Sequence, residues 1–315
     1  MKFITLTDGI LPTPCVATIG FFDGVHIGHR FLIGQVKHHA AERGLASLLV
    51  TFRTHPRQVM QSSYRPALLS TYKEKCGLLA STGADYCLTL DFTPELAQLS
   101  AREFMEKILK RILSVQVLVV GYDHHFGHGK TDGFPQYVQY GRETGIEVIQ
   151  AEPLPLNGIN VSSSVVRAFL SEGEVSMAAR CLSHPYTLTG QVVNGFHIGH
   201  ELGFPTANIQ PDSPQKLIPK NGVYAVKVTE KNHVGQKTWA GMLNIGTRPT
   251  IGNGEEQSIE VHLLDFDGNL YGQALTLSFI RRLRDERKFR NKGELAKQLY
   301  ADEEQVRNIL SNDSI

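Results

Sequence analysis

The densest chemistry in the sequence lies at residues 20–29, where Gly20, Phe21, Phe22, Asp23, Gly24, Val25, His26, Ile27, Gly28 and His29 follow one another. Two histidines three apart, with a glycine between them, fall together on the first turn of a helix that starts there. Helix N-termini attract phosphate through unpaired backbone N–H groups and the macrodipole. Imidazoles at that end add directed donors. His26 and His29 are therefore candidates to clamp the phosphates of ATP and to stabilise charge on a reacting phosphorus. The competing reading is a glycine turn whose histidines only cap a helix. Ser162, Ser163 and Ser164, followed by Arg167, form a second anion-compatible helix start. Their hydroxyls can cap orphan N–H groups, and the arginine can reach a phosphate. Serine caps are common, so this group gains weight only beside the 20–29 turn.

The later sequence offers a different set. Gly203, Phe204, Pro205, Thr206, Ala207 and Asn208 place Thr206 and Asn208 on one side of an extended segment. Their oxygens suit Mg²⁺ held with nucleotide phosphates, because magnesium takes few protein ligands and keeps its waters. An ordinary turn into a strand is the plainer reading. Glu260 stands within a strand-like run at 258–266, with His262 and Leu264 on its side of the pleat. A carboxylate there is costly unless that face borders a cavity, which makes Glu260 a candidate general base. The alternative is an exposed barrel face. The basic run at 281–288 reads as a solvated surface or, with Phe289 beside it, as a flap over an anionic ligand.

Three further motifs are set aside. His197, Ile198, Gly199 and His200 repeat His26 to His29 residue for residue, but Leu202, Gly203, Phe204 and Pro205 follow and prevent a helix from starting at once. Gly129, Lys130 and Thr131 resemble the end of a Walker A loop, yet His124 stands where its first glycine belongs. His124, His125 and His128 with Asp123 are adjacent in a loop and lack a spacing that converges on one metal ion.

The elements that position these residues come in two textures. Strand-like runs at 15–21, 45–52, 85–92, 115–121 and 146–150 alternate with helical patterns at 30–43, 72–81, 101–113 and 134–143. That alternation predicts a doubly wound parallel α/β sheet, with ligands beyond the carboxyl ends of its strands. Residues 20–29, 52–56 and 121–127 all fall at such ends. Helical pieces at 164–171 and on to 182 follow. The runs at 187–193, 222–229, 239–245, 259–266 and 274–280 are then short, β-branched and broken by Gly, Pro and Asn. They predict a small antiparallel barrel or sandwich. Leu295, Leu299, Val306 and Leu310 recur at helical spacing and predict a C-terminal amphipathic helix. The boundary is expected at 183/184, giving domains 1–183 and 184–315.

With 315 residues and a net charge of +1, the chain has room for two ordinary cores and no charge excess that calls for nucleic acid or an anionic membrane. No apolar stretch approaches the ~18 residues of a membrane span, and no signal peptide is expected at residues 1–14, which charge and proline interrupt. Cys15, Cys76, Cys87 and Cys181 are scattered without CxxC spacing and read as reduced thiols of a cytoplasmic protein.

Taken together, the motifs resemble a known family, the bacterial bifunctional riboflavin kinase/FMN adenylyltransferases, or FAD synthetases. The resemblance is carried by residues 20–29, 51–56, 121–123 with Phe126 and Gly127, and 161–167. It continues at 203–208, 222–224, 241–246 with 248–250, 260–264, and 283–286 with Phe289. It covers nearly the whole chain, and the ordered set is far more specific than any one motif. Phe21, Thr54, His124, His125, Ser164, Ser183, His184 and His200 depart from the family's usual residues.

The resemblance implies a Rossmann-like nucleotidyltransferase domain followed by a riboflavin kinase barrel. The barrel would move the γ-phosphate of ATP to riboflavin, with Glu260 as base and Thr206 and Asn208 on Mg²⁺. Gly199, Gly203, Pro205, Asn244, Arg284, Glu286 and Phe289 would line its ATP and flavin sites. The sheet domain would join FMN to the AMP part of ATP and release pyrophosphate. His26 and His29 would act there, with Gly20, Asp23, Gly28, Asp123, Ser163, Ser164 and Arg167 around the nucleotide. Riboflavin, FMN and ATP are the implied partners, and a homo-oligomer is compatible with the sequence. One rival is a histidine-signature aminoacyl-tRNA synthetase, but the chain lacks the lysine-rich signature loop of that class. Another is a flavin-nucleotide-binding homologue that is non-catalytic or retains only the kinase half.

Overall fold

The computed structural model describes residues 1–6, 11, 13–61, 63–122, 125–128, 132–154, 161–194, 203–232, 235–249 and 255–312. Packing divides the chain into two compact units, Met1–Ser162 and Ser163–Ile315.

The first unit contains β1 (Lys2–Ile4), β2 (Cys15–Ile19), α1 (Ile27–Arg43), β3 (Ala46–Phe52), α2 (Pro56–Met60), α3 (Tyr72–Ala80), β4 (Tyr86–Leu90), α4 (Pro94–Gln98), α5 (Ala101–Phe104), β5 (Val115–Val120), α6 (Phe134–Thr144) and β6 (Glu147–Gln150). All strand pairs are parallel, in the order β1-β4-β3-β2-β5-β6. Every residue of β2 is buried, as expected of a strand covered on both faces. The chain adds β3 and β4 on one side of β2, then crosses over to place β5 and β6 on the other. The order therefore reverses between β2 and β5, and open sheets of this kind bind ligands in the crevice at such a reversal. The segments leaving β2 and β5, with 20–29 first among them, open onto that crevice. The doubly wound sheet expected from the sequence is present, with the short edge strand β1 as an addition.

The second unit begins with α7 (Ser163–Glu172) and α8 (Val175–Leu182). It continues through β7 (Tyr186–Val193), β8 (Ala207–Pro211), β9 (Gly222–Asn232), β10 (Gly235–Pro249), β11 (Glu255–Leu263), β12 (Ala274–Arg284) and α9 (Lys292–Asn312). The strands close into a barrel in the order β10-β11-β8-β7-β12-β9, with every pair antiparallel. Of the two all-β alternatives, the barrel is the one adopted. Leu275, Leu277 and Phe279 of β12 are buried at alternate positions. Gly190 lets β7 pass so close to β8 that a methyl group there would overlap the Gln210 carbonyl. On α9, Leu299, Val306, Ile309 and Leu310 pack against Phe204, Val223, Ala225, Met242 and Leu264.

The packing boundary at 162/163 differs from the 183/184 position suggested by sequence texture. The helical pair α7–α8 belongs with the barrel. Ser176 Oγ donates to the Ile280 carbonyl at 3.0 Å, and Lys220 N donates to the Leu170 carbonyl at 3.0 Å. Sequence periodicity shows where the helices are, but not which core they join.

Candidate active sites

In the first unit, the turn after β2 holds an unusual backbone. Phe22, Gly24 and Val25 all have positive φ, at 55°, 73° and 43°. For a β-branched residue such as Val25 this is a strained conformation, of the kind that persists where the surroundings over-determine it. Those surroundings are visible. Asp23 is buried, and its carboxylate accepts from Leu69 N (3.0 Å), Ser70 N (3.0 Å) and Ser70 Oγ (3.1 Å). Gly24 N donates to Ser70 Oγ at 3.0 Å. Asp23, placed by resemblance among nucleotide-binding residues, thus spends its carboxylate on fixing the turn.

The turn delivers the chain to α1 with His26 as its N-cap, three residues before the helix expected at 30. His26 Nδ1 accepts from His29 N at 3.3 Å, which leaves the proton of a neutral ring on Nε2. The rings of His26 and His29 stack with centroids 3.6 Å apart. His26 thus caps the helix, as the plainer reading has it, and the two imidazoles sit together at its positive end. Gly28 keeps the space beside them open, since a methyl group would crowd the His26 ring at 3.1 Å and the Val161 carbonyl at 3.4 Å. At Gly20 a methyl group would press on the Phe22 ring at 2.8 Å.

Next to this turn lies a cavity of about 360 Å³, walled by Phe21, Phe52, His55, Phe92, Phe104 and Phe126 among others. The Phe21 and His55 rings meet edge to face at 4.7 Å, as do Phe52 and Phe92 at 5.4 Å. An apolar, aromatic slot beside a helix N-terminus suits a flat ring that carries a phosphate. Gly127, at φ 88°, brings its loop against Ala101, where any side chain would collide with the backbone. Asp123 lies outside the described residues, as do His124 and the Gly129–Lys130–Thr131 segment. His125 Nδ1 is 2.8 Å from the Asp132 carbonyl and His128 Nδ1 is 3.2 Å from the Ala97 carbonyl. No metal-ligand cluster of His, Cys, Asp or Glu occurs among the described residues. Ser163, Ser164 and Arg167 open α7 and fall in the second unit.

In the second unit, strand register assembles the site. Glu260 of β11 stands opposite Asn208 of β8 on one side and Asn244 of β10 on the other. Asn244 in turn faces Val223 of β9, which faces Arg284 of β12. Residues opposite one another share a face of the sheet, so this row runs around one end of the barrel. Thr206 Oγ1 donates to Glu260 Oε2 at 3.4 Å. A cavity of about 320 Å³ collects Thr206, Asn244, Glu260, Arg284, Glu286 and Phe289. A second cavity of about 400 Å³, with Phe266, Asp267 and Tyr271 in its wall, shares Thr206 with the first. Pro205 fixes the same corner, since its carbonyl accepts from His262 Nδ1 at 2.8 Å. Gly203, two residues earlier, has a positive φ of 80°, a backbone conformation that favours glycine. Glu286 accepts from Asn221 Nδ2 at 3.4 Å and lies so close to Gly246 that a methyl group there would overlap its carboxylate.

Comparison with known proteins bears on both units. The sequence profile of the FAD synthetase family matches residues 10–165, and that of riboflavin kinase matches residues 182–310. The bifunctional riboflavin kinase/FMN adenylyltransferase of Escherichia coli (strain K12) is 36% identical over 306 residues, covering 96% of each chain. The chain belongs to the bifunctional riboflavin kinase/FMN adenylyltransferase family. It is a transferase with one domain of each kind. The Pseudomonas fluorescens member is 38% identical over 288 residues, covering 91% of this chain and 90% of its own. A crystal structure titled as a macrolide-efflux protein from Streptococcus pneumoniae matches with a TM-score of 0.87 at 29% identity, covering 98% of this chain and 99% of that one. Among the described residues no helix is long and apolar enough to cross a membrane.

Two buried charged groups that touch the cavity walls were not legible as site residues in the sequence. Asp302 on α9 lines the Glu260 cavity and grips Arg284, with Nη2 to Oδ2 at 2.7 Å. Lys75 on α3 is 2% exposed and donates from Nζ to the carbonyls of Phe21 (3.1 Å) and Phe52 (2.7 Å). Gly199 and His200 lie outside the described residues, so the repeated histidine motif stays a sequence observation.

Proposed function

We propose that residues 184–315 phosphorylate riboflavin to FMN, that residues 1–183, with α7 and α8 assigned by motif rather than by packing, adenylylate FMN to FAD, and that ATP is the co-substrate of both steps. The observation that carries the kinase reading is the row Asn208–Glu260–Asn244, with Thr206 shared by two cavities. A phosphoryl group passing between two bound substrates must cross such a shared wall. ATP would occupy the cavity beside Tyr271, and riboflavin the one beside Phe289. Glu260 would accept the proton of the ribityl 5′-hydroxyl as its oxygen bonds to the γ-phosphorus and the bond to ADP breaks. The hard oxygen donors Thr206 and Asn208, beside the Glu260 carboxylate, fit Mg²⁺. When bound there, the ion would neutralise charge on the nucleotide phosphates.

In the first unit, the FMN ring would lie in the aromatic slot and the ATP phosphates at the N-terminus of α1. The FMN phosphate is already a nucleophile, so this half needs alignment and charge neutralisation rather than a base. An FMN oxygen attacks the α-phosphorus and pyrophosphate leaves. His26 and His29 would stabilise the charge that develops. The stacking of the two imidazoles at the N-terminus of α1 supports this. Gly20 and Gly28 give the close approach and Asp23 the rigid turn. For Asp123, Ser163, Ser164 and Arg167 the support is the motif alone.

Free thiols at all four cysteines are compatible with the cytoplasm. The test is direct: incubate the full chain with riboflavin, ATP and Mg²⁺ and resolve the flavins. FMN followed by FAD is expected. Unchanged riboflavin would sink the kinase assignment, and supplied FMN left unconverted to FAD would sink the adenylyltransferase assignment.

A further inference from the structure

We propose that Lys75 is a positioning residue for adenylylation, bracing Phe21 as one wall of the flavin slot and so setting how tightly FMN is held. This rests on the reading of that slot given above.

Lys75 lies on the inner face of α3, one turn before the buried Leu79. Its ammonium has three donor directions, and each has a visible target. Two are the carbonyls of Phe21 and Phe52, at 3.1 and 2.7 Å. The third is the face of the Phe21 ring, whose centroid is 3.9 Å from Nζ. Phe52 ends β3 and Phe21 lies just past β2, so one cation ties together the ends of two adjacent strands. The Phe21 carbonyl also accepts from Thr51 Oγ1 at 3.2 Å. With its carbonyl held twice and its ring held from below, Phe21 is fixed in the slot wall beside His55.

A buried ammonium is costly, and this one hydrogen-bonds to carbonyls rather than to a carboxylate. Burial pushes it down to about 8, opposed by the nearby Asp23 and, more weakly, by Cys76 on α3 and Cys87 on β4. An ordinary core position would be filled by leucine or methionine at no such cost. Here the charge sits directly behind two residues of a cavity wall, Phe21 and Phe52, and perturbed groups concentrate at functional sites.

The test uses full-length Lys75→Met, Lys75→Gln, Phe21→Leu and the Phe21→Leu/Lys75→Met double variant, with FMN and ATP varied separately. A desolvated cation–π brace of this kind should raise KM for FMN about tenfold when lost, with KM for ATP changed by less than about threefold. Phe21→Leu should give a similar rise, and the double variant should be no worse than the poorer single variant, because both substitutions remove one interaction. An unchanged KM for FMN in both lysine variants would overturn the proposal. So would multiplicative effects in the double variant. Loss of the folded first unit in both lysine variants would also overturn it, making Lys75 a fold staple only. Failure of the wild-type chain to make FAD from FMN would instead remove the reading of the slot itself.

Discussion

Arg284 on β12 and Asp302 on α9 form a forked ion pair, with Nε at 3.1 and 3.0 Å from the two carboxylate oxygens and Nη2 at 2.7 Å from Oδ2. Asp302 is 1% exposed, and Gln298 Nε2 also donates to its Oδ1 at 2.6 Å. The pair is thus largely shielded from water and joins the C-terminal helix to the wall of the cavity that holds Glu260. Removing the carboxylate would strand a largely buried guanidinium, a change that costs about 3–5 kcal/mol. Asp302→Ala should therefore lower the stability of the second unit by about 3 kcal/mol in urea and weaken riboflavin phosphorylation. The sole tryptophan, Trp239, lies in that unit, so its fluorescence reports the transition. An unchanged midpoint would show that the pair contributes nothing net.

As the proposed base, Glu260 offers a way to separate the two chemistries. Its carboxylate sits in the barrel, flanked by Asn208 and Asn244, while the helix-end histidines belong to the other unit. Glu260→Gln keeps the size and a hydrogen-bonding group but cannot take a proton. FMN formation should fall by about 10²–10⁴, the range for losing a general base, with conversion of supplied FMN to FAD retained. Loss of both reactions would contradict separate sites.

The histidine pair permits a finer division. His26 is both helix cap and phosphate candidate, whereas the His29 side chain has no capping duty on α1. His29→Ala should slow FAD formation by about 10²–10³ and leave riboflavin phosphorylation unchanged. His26→Ala should do the same and also cost about 1 kcal/mol of stability through the lost cap. Equal stability losses in the two variants would argue that capping is not what distinguishes them.

Much of this arrangement is legible in the sequence because it follows local rules. Alternation of strand and helix gives the parallel sheet, and a strand followed by glycines and histidines marks its ligand end. Thr206, Asn244, Glu260, Arg284, Glu286 and Phe289 were named from motifs, and strand register with one cavity brings them together. Lys75 and Asp302 escaped for a common reason. Each is a charged residue on the apolar stripe of its helix, Lys75 with Leu79 and Asp302 between Leu299 and Val306. Such a break in the stripe was available as a signal, but its meaning depends on distant partners at Phe21, Phe52 and Arg284. The allegiance of α7 and α8 to the barrel was hidden similarly, since amphipathicity identifies a buried face without naming what covers it.

Lys75 also predicts a pH dependence of stability. Burial pushes its ammonium from the ordinary 10.5 down to about 8. Between those values the unfolded chain still holds a proton that the folded chain has released, so stability rises with pH across the window. The gain from this one group is roughly 3 kcal/mol, and below about pH 8 the folded state bears the cost of the buried charge in full. Cys15 and Cys87, pushed up to about 12 by burial, act in the opposite direction above about pH 9, because only the unfolded thiols ionise there. The wild-type curve therefore mixes both effects, whereas comparison with Lys75→Met removes the contribution of Cys15 and most of that of Cys87, on which Lys75 acts only weakly. From about pH 8 to about 10.5, wild type should gain roughly 3 kcal/mol relative to that variant. Hydrogen exchange of the central strands β2 and β3, followed in the full chain, measures the gap. A gap that stays level across the window would mean that the ammonium is no harder to bury than to leave in water.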